Sequence, residues 1–201
     1  MKKIFIIAAV AMFIASSGLA AEELPQVNLK FSPDIGKAQC ASQPGKDVTL
    51  AWQGVSDTRE SKGVGTVKVR SKEEAEVGLA GGIDSTFGEA IKTLFKNCGF
   101  NVEGADADGV KVSVDVTEFF AGSKKGFFTG ETEAKGSIVV HLMKSGSSFN
   151  FNFGATRSDK GLRKKNIKRL EGVLNGLFEE LVTQIGDSSQ LFEEIKKLAN
   201  R

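Results

Sequence analysis

Three successive stretches with a two-residue period constrain this chain more than any other feature. Val110, Val112, Val114 and Val116 alternate with Lys111, Ser113, Asp115 and Thr117; Ile138, Val140 and Leu142 lie within Glu131 to Lys144; Phe149, Phe151 and Phe153 alternate with Asn150 and Asn152. Alternation of this kind buries one face of a strand and wets the other. The links between the stretches are short, and Ser145-Gly146 is a turn pair, so the three form an antiparallel meander. A sheet with one apolar face needs a cover, and the sequence supplies helices for it. Phe87, Ala90, Ile91, Leu94, Phe95 and Cys98 recur at helical spacing over about Thr86 to Cys98, with a Thr86/Glu89 capping box and Gly99 beyond the end. A longer helix is expected over Asp159 to Ile185, striped by Ile167, Leu170, Val173, Leu174, Leu177, Leu181 and Ile185. Gly186 ends it, and Asp187 with Gln190 caps a last short helix reaching Asn200.

Upstream, Val48, Leu50 and Trp52 alternate in a strand, Gly54 to Gly63 reads as a polar loop, and Val64 to Arg70 is a second strand. The expected fold class is α+β: a mixed, largely antiparallel sheet with the C-terminal three-strand meander, two main amphipathic helices packed on one face, and a short C-terminal helix. Its order gives residues 1–20 as a signal peptide, 21–45 as an extended arm holding Pro25, Pro33 and Pro44, and 46–201 as a single α+β domain.

The signal reading rests on Lys2 and Lys3, the apolar run Ile4 to Ile14, and the small residues Ser16-Ser17-Gly18-Leu19-Ala20, with cleavage expected after Ala20. Removing Lys2 and Lys3 from the 27 basic residues leaves as many cations as the 25 acidic groups. A neutral mature chain gives no reason to expect nucleic-acid binding. The only two cysteines, Cys40 and Cys98, lie in the exported part, where a structural disulfide is the first expectation and a pair of buried thiols the second.

Several segments resemble the YajG-like family of small bacterial envelope lipoproteins. Asp57-Thr58-Arg59 followed by Gly65 is similar to that family's D-x-R…G segment. A helix running into Gly99-Phe100, the valine-alternating strand after it, and a C-terminal pair of amphipathic helices ending in Phe192 to Arg201 follow the same order. The resemblance implies a periplasm-facing protein of the outer membrane without an enzymatic role. No lipobox cysteine follows the signal segment here, so soluble export to the periplasm, peripheral to the outer membrane, is the expectation.

Catalytic, cofactor-binding and metal-ligating residues are not expected. His141 is the only imidazole and sits in a strand, and one His with two bridged Cys makes no zinc site. Gly78 to Gly82 precedes a helix and reads as a loop without phosphate-loop chemistry. The segment Glu118 to Gly130 is more informative. Phe119-Phe120 and Phe127-Phe128 flank a basic turn with Lys124 and Lys125, as in a hairpin arm, and these six residues are the candidate partner-binding set. Lys164, Lys165, Lys168 and Arg169 form a candidate anion patch on the outer face of the long helix, which also carries Gly172 and Gly176. Asp57 and Arg59, two apart in a loop, suit an ion pair or a recognition pair. The expected function is therefore binding of an envelope protein or the outer-membrane surface through the Phe-rich arm, without a cofactor and with a homo-oligomer in view. The alternative is carriage or sensing of a lipid-like amphiphile between sheet and helices, which the 13 phenylalanines left of 15 after removal of Phe5 and Phe13 with the signal segment make reasonable.

Overall fold

The structure is a computed structural model that describes residues 25–30, 40, 45–68, 74–125, 129–162 and 167–201. Eight strands and three helices lie among them: β1 (Gln26–Val27), β2 (Thr49–Asp57), β3 (Gly65–Lys68), β4 (Glu74–Leu79), α1 (Gly82–Asn97), β5 (Asn101–Glu103), β6 (Val110–Lys125), β7 (Thr129–Lys144), β8 (Ser147–Leu162), α2 (Ile167–Asp187) and α3 (Ser189–Ala199). The fold is mixed α+β with one curled sheet.

The meander is its backbone. β6, β7 and β8 are 16 residues each and pair antiparallel in sequence order. Ser145 (φ 50°) and Gly146 (φ 77°) make the two-residue turn between β7 and β8, both left-handed as such a turn requires. On the other side of β6, β2 runs parallel along Val110 to Val116 and carries β5 on its far edge, also parallel. β3 then meets β6 at Gly65↔Ala121, pairs antiparallel with β4, and β1 lies parallel to β4.

The helices cover one face. Val110, Val112, Val114, Val116, Ile138, Val140 and Leu142 are fully buried against them, as the alternation predicts. A run of ring contacts ties the layers together. Phe87 of α1 meets Phe119 of β6 edge-on at 5.2 Å and Phe178 of α2 at 4.8 Å, and Phe95 meets Trp52 and Phe100 at 6.4 and 5.8 Å. Cys40 and Cys98 form a disulfide with Cα atoms 4.9 Å apart, fastening the N-terminal region to the end of α1.

Three expectations are corrected. The long helix starts at Ile167, not Asp159, because residues up to Leu162 continue β8 as the partner of β7 from Thr129 onward. The Thr86/Glu89 capping box does not form: α1 starts a turn earlier behind Gly81 (φ 79°), and the Thr86 hydroxyl donates to Gly82 O at 2.7 Å inside the helix. The cap of α3 is Ser188, whose side chain accepts from Leu191 N at 3.2 Å, not Asp187.

Candidate functional site

β2 and β3 share one edge of β6 but do not form a continuous strand. Between them the chain leaves the sheet for Thr58 to Val64, and β6 carries a bulge between Val116 and Glu118. A break in a ladder strands backbone carbonyls, which must find other donors. Thr58 N and its hydroxyl both donate to Val116 O, at 3.0 and 3.1 Å, and Ala121 N donates to Val64 O at 2.8 Å. Phe119 O, in the gap, accepts from Arg59 Nη1 at 2.9 Å. A guanidinium thus stands where the next strand residue would have offered its N–H.

All five guanidinium N–H groups are engaged. Nε and Nη2 grip the two Asp57 carboxylate oxygens at 2.8 and 2.9 Å, Nη1 also donates to Gly63 O at 3.0 Å, and Nη2 to Lys62 O at 3.0 Å. The Arg59 side chain is 5% exposed and that of Asp57 15%. The hydrogen bonds from Arg59 hold the Asp57 carboxyl below its ordinary pKa of 3.8, against desolvation, which raises it. The loop is closed by Glu76 of β4, whose Oε1 accepts from Ser61 Oγ at 2.8 Å and Gly63 N at 3.0 Å. Of the two roles weighed for Asp57 and Arg59, the geometry provides the ion pair. With every donor committed, Arg59 has none left for a ligand.

Over this clamp, on the face without helices, lies an open groove of about 610 Å³ lined by the loop (Thr58, Arg59, Glu60, Ser61, Gly63), by Thr117 to Phe120, and by Ser137. Glu60 and Glu118 are exposed at its rim, and Phe120 is half-buried in its wall. Sequence reasoning did not find this groove. Its only trace was the polar stretch Gly54 to Gly63, expected as a loop, of which Gly54 to Asp57 instead continue β2.

The aromatic arm is partly corrected. β6 and β7 do form a hairpin, with Lys125 opposite Gly130, Phe119 opposite Gly136 and Phe120 opposite Lys135. The bulge after Val116 shifts the alternation by one residue, so Phe119 turns inward. At 1% exposed it is a core residue and leaves the partner-binding set, whereas Phe120 stays on the open face. Lys124 and Lys125 end β6 at register positions Glu131 and Gly130, while Phe127 and Phe128 lie outside the described residues.

In the expected anion patch, Lys164 and Lys165 also lie outside the described residues, Lys168 is exposed, and Arg169 Nε contacts Asp159 Oδ2 at 2.6 Å. Arg169 is thus tied to β8, and the patch loses it as an anion ligand. Gly176 faces Arg157 of β8, whose Nε pairs with Glu180 at 2.6 Å. His141, on the open face, sits between Asp115 Oδ2 (3.0 Å) and Asn150 Oδ1 (2.9 Å). Among the described residues no group of three or more His, Cys, Asp or Glu is placed to hold a metal ion, and no helix is long and apolar enough to cross a membrane.

A one-face-covered, curled α+β sheet with a long meander is the fold of this chain, and its family follows from the sequence match. The chain belongs to the family described as uncharacterized lipoprotein, the YajG-like family, whose model matches residues 33–196. Of solved structures, protein XCC0632 from Xanthomonas campestris is similar in fold, with a TM-score of 0.54 at 11% identity over 87% of this chain and 98% of that one. Lipoprotein GNA1162 from Neisseria meningitidis aligns with a TM-score of 0.34 at 12% identity over 70% of this chain and 99% of its own. No curated protein matches.

Proposed function

We propose that the protein works in the cell envelope by binding and not by catalysis, and that its partner docks in the groove beside Phe120. Membership of a lipoprotein family supports the envelope setting, and the secretory pattern of residues 1–20 supports export to the periplasm with cleavage after Ala20. The observation that carries the reading is the groove: open, on the uncovered face, with one aromatic wall and two rim carboxylates over a rigid, clamped floor. Such a site suits a cationic or hydroxyl-rich segment of an envelope protein, held by charge at the rim and by ring contact in the wall. The carrier reading has less support: Leu177, Phe178 and Leu181, where α2 meets the sheet, are completely buried and belong to the core.

A photo-crosslinking residue at position 120, with position 196 on the exposed side of α3 as control, tests this in growing cells. A partner adduct formed only from position 120, and lost when Glu118→Lys is added, is the expected result. Equal crosslinking from both positions, or an adduct indifferent to Glu118→Lys, overturns the proposal.

A further inference from the structure

β8 has one neighbour. It pairs with β7 from Ser147 to Leu162, and among the described residues no strand pairs along its other side. An edge this long offers a row of backbone N–H and C=O groups to any strand alongside, and proteins commonly blunt it with charge, proline or a bulge. Ser147 to Thr156, with the sequence SSFNFNFGAT, contains no ionisable side chain and no proline, and its register with β7 has no shift. Phe149, Phe151 and Phe153 are half-buried on the helix side, while Asn150 and Asn152 are exposed on the other. Side chains from the helical region reach this edge near its ends: Gln184 Nε2 donates to Gly154 O at 3.2 Å and Arg201 Nη1 to Ser147 Oγ at 2.6 Å. Phe149 to Phe153 lies between them.

We propose that Phe149–Phe153 is a homodimer seam, in which a second copy adds its own β8 antiparallel about a two-fold axis at Phe151. The pattern Phe-Asn-Phe-Asn-Phe reads the same in both directions, so the segment is its own complement. In that register Phe151 faces Phe151 of the partner subunit, Phe149 faces Phe153 of the partner subunit, and Asn150 faces Asn152 of the partner subunit. Rings meet rings on the helix side, amides meet amides on the open side, and no charge opposes another; aromatic cross-strand pairs stabilise a sheet. Pairing about a two-fold axis closes on itself, so the edge is used up in a dimer instead of seeding a fibre.

The test is the mass of the exported chain by sedimentation over a range of concentrations. The wild type is expected to reach the dimer mass. The doubles Asn150→Lys/Asn152→Lys and Asn150→Glu/Asn152→Glu set like charges opposite each other twice, so each should associate at least about tenfold more weakly. An equimolar mixture of the two should recover the dimer, which loss of the Asn150–His141 contact or simple destabilisation cannot produce. Hydrogen exchange needs no variant: amides of residues 149–153 should gain protection as the wild type is concentrated. A wild type that stays monomeric to about 100 μM, a range in which weak specific dimers form, overturns the proposal. So do doubles that dimerise like the wild type, a mixture that fails to recover, or exchange at 149–153 that is independent of concentration.

Discussion

Replacing Arg59 with methionine removes a cation and its five hydrogen bonds from a site where the side chain is 5% exposed, leaving the Asp57 carboxylate, 15% exposed, with only the solvent-exposed Lys62 ammonium at 3.4 Å and the backbone N–H of residue 59 at 3.2 Å. Breaking a buried ion pair from one side costs about 3–5 kcal/mol, because the remaining charge stays desolvated. Here Phe119 O also loses the donor that bridges the gap in the ladder, while Lys62 still offsets part of the Asp57 charge, which places Arg59→Met at about 4 kcal/mol, inside that range. Arg59→Lys keeps the charge, but a single ammonium cannot reach Asp57, Phe119 O and the Lys62 and Gly63 carbonyls together. About half the loss, roughly 2 kcal/mol, is expected for it. The assay is urea unfolding followed by fluorescence of Trp52, the only tryptophan, which is 8% exposed in β2, the strand that ends at Asp57. At an m-value near 2 kcal/mol/M the midpoint of Arg59→Met should fall by about 2 M. A double-mutant cycle with Asp57→Asn should return a coupling of about 1–3 kcal/mol. A loss below about 1 kcal/mol for Arg59→Met, or Arg59→Lys as stable as the wild type, would refute the clamp, since solvent or a shifted loop would then be satisfying those carbonyls.

The depressed Asp57 pKa means that the folded state holds its carboxylate more tightly deprotonated than the unfolded state, so this contribution is complete well above 3.8 and is lost as pH falls through the folded value. The stability gap between wild type and Asp57→Asn should be flat from about pH 5 upward and shrink below pH 4, read from Trp52 melts at each pH. Reducing the Cys40–Cys98 disulfide, which spans 58 positions, should lower stability by up to about 4 kcal/mol, measured as the midpoint shift between oxidised and reduced protein. Gly65→Ala puts a methyl 2.8 Å from Ala121 O, a backbone atom in a ladder, whereas Gly136→Ala meets Leu181 Cδ1 at 2.7 Å, the end of a side chain that can turn away. Both should destabilise by about 1–3 kcal/mol, Gly65→Ala the more; the reverse order by calorimetry would show that β3 yields more readily than the α2 packing.

The amphipathic patterns were legible wherever one face meets the core. The valine run in β6, the phenylalanine run in β8 and the Leu/Ile stripe of α2 all bury the side the period assigns. The pattern failed in the distal part of the meander, where the inner face of the sheet is made of small or charged residues such as Ala134, Gly136, Arg157 and Asp159 and no apolar alternation remains to be read. That is why Asp159 passed for a helix start. Phe119 failed for another reason. A bulge adds one residue and inverts every later assignment on its strand, and nothing in Val116-Thr117-Glu118 announces it. The Asp57–Arg59 pair was readable as a pair, but its third partner, Phe119 O, is 60 residues away in sequence and belongs to tertiary structure alone.

These features have a common origin in the length of β6. Its 16 residues outrun β2, which stops pairing at Val116, so a second strand must take over the same edge at Ala121. Changing strands along one edge leaves a gap, and a gap beside the buried Phe119 needs donors that water cannot bring. The bulge aims Phe119 into the core and its carbonyl into the gap, the Thr58 to Val64 detour carries Arg59 there, and Asp57 supplies the counter-charge that lets a guanidinium be buried. The detour also raises a wall above the uncovered face, and that wall with Phe120 encloses the groove. Loosening the clamp should therefore cost binding as well as stability, and the two separate in Glu118→Lys: this rim change leaves every bond of the clamp intact, so Trp52 melts should match the wild type while the partner adduct from position 120 disappears.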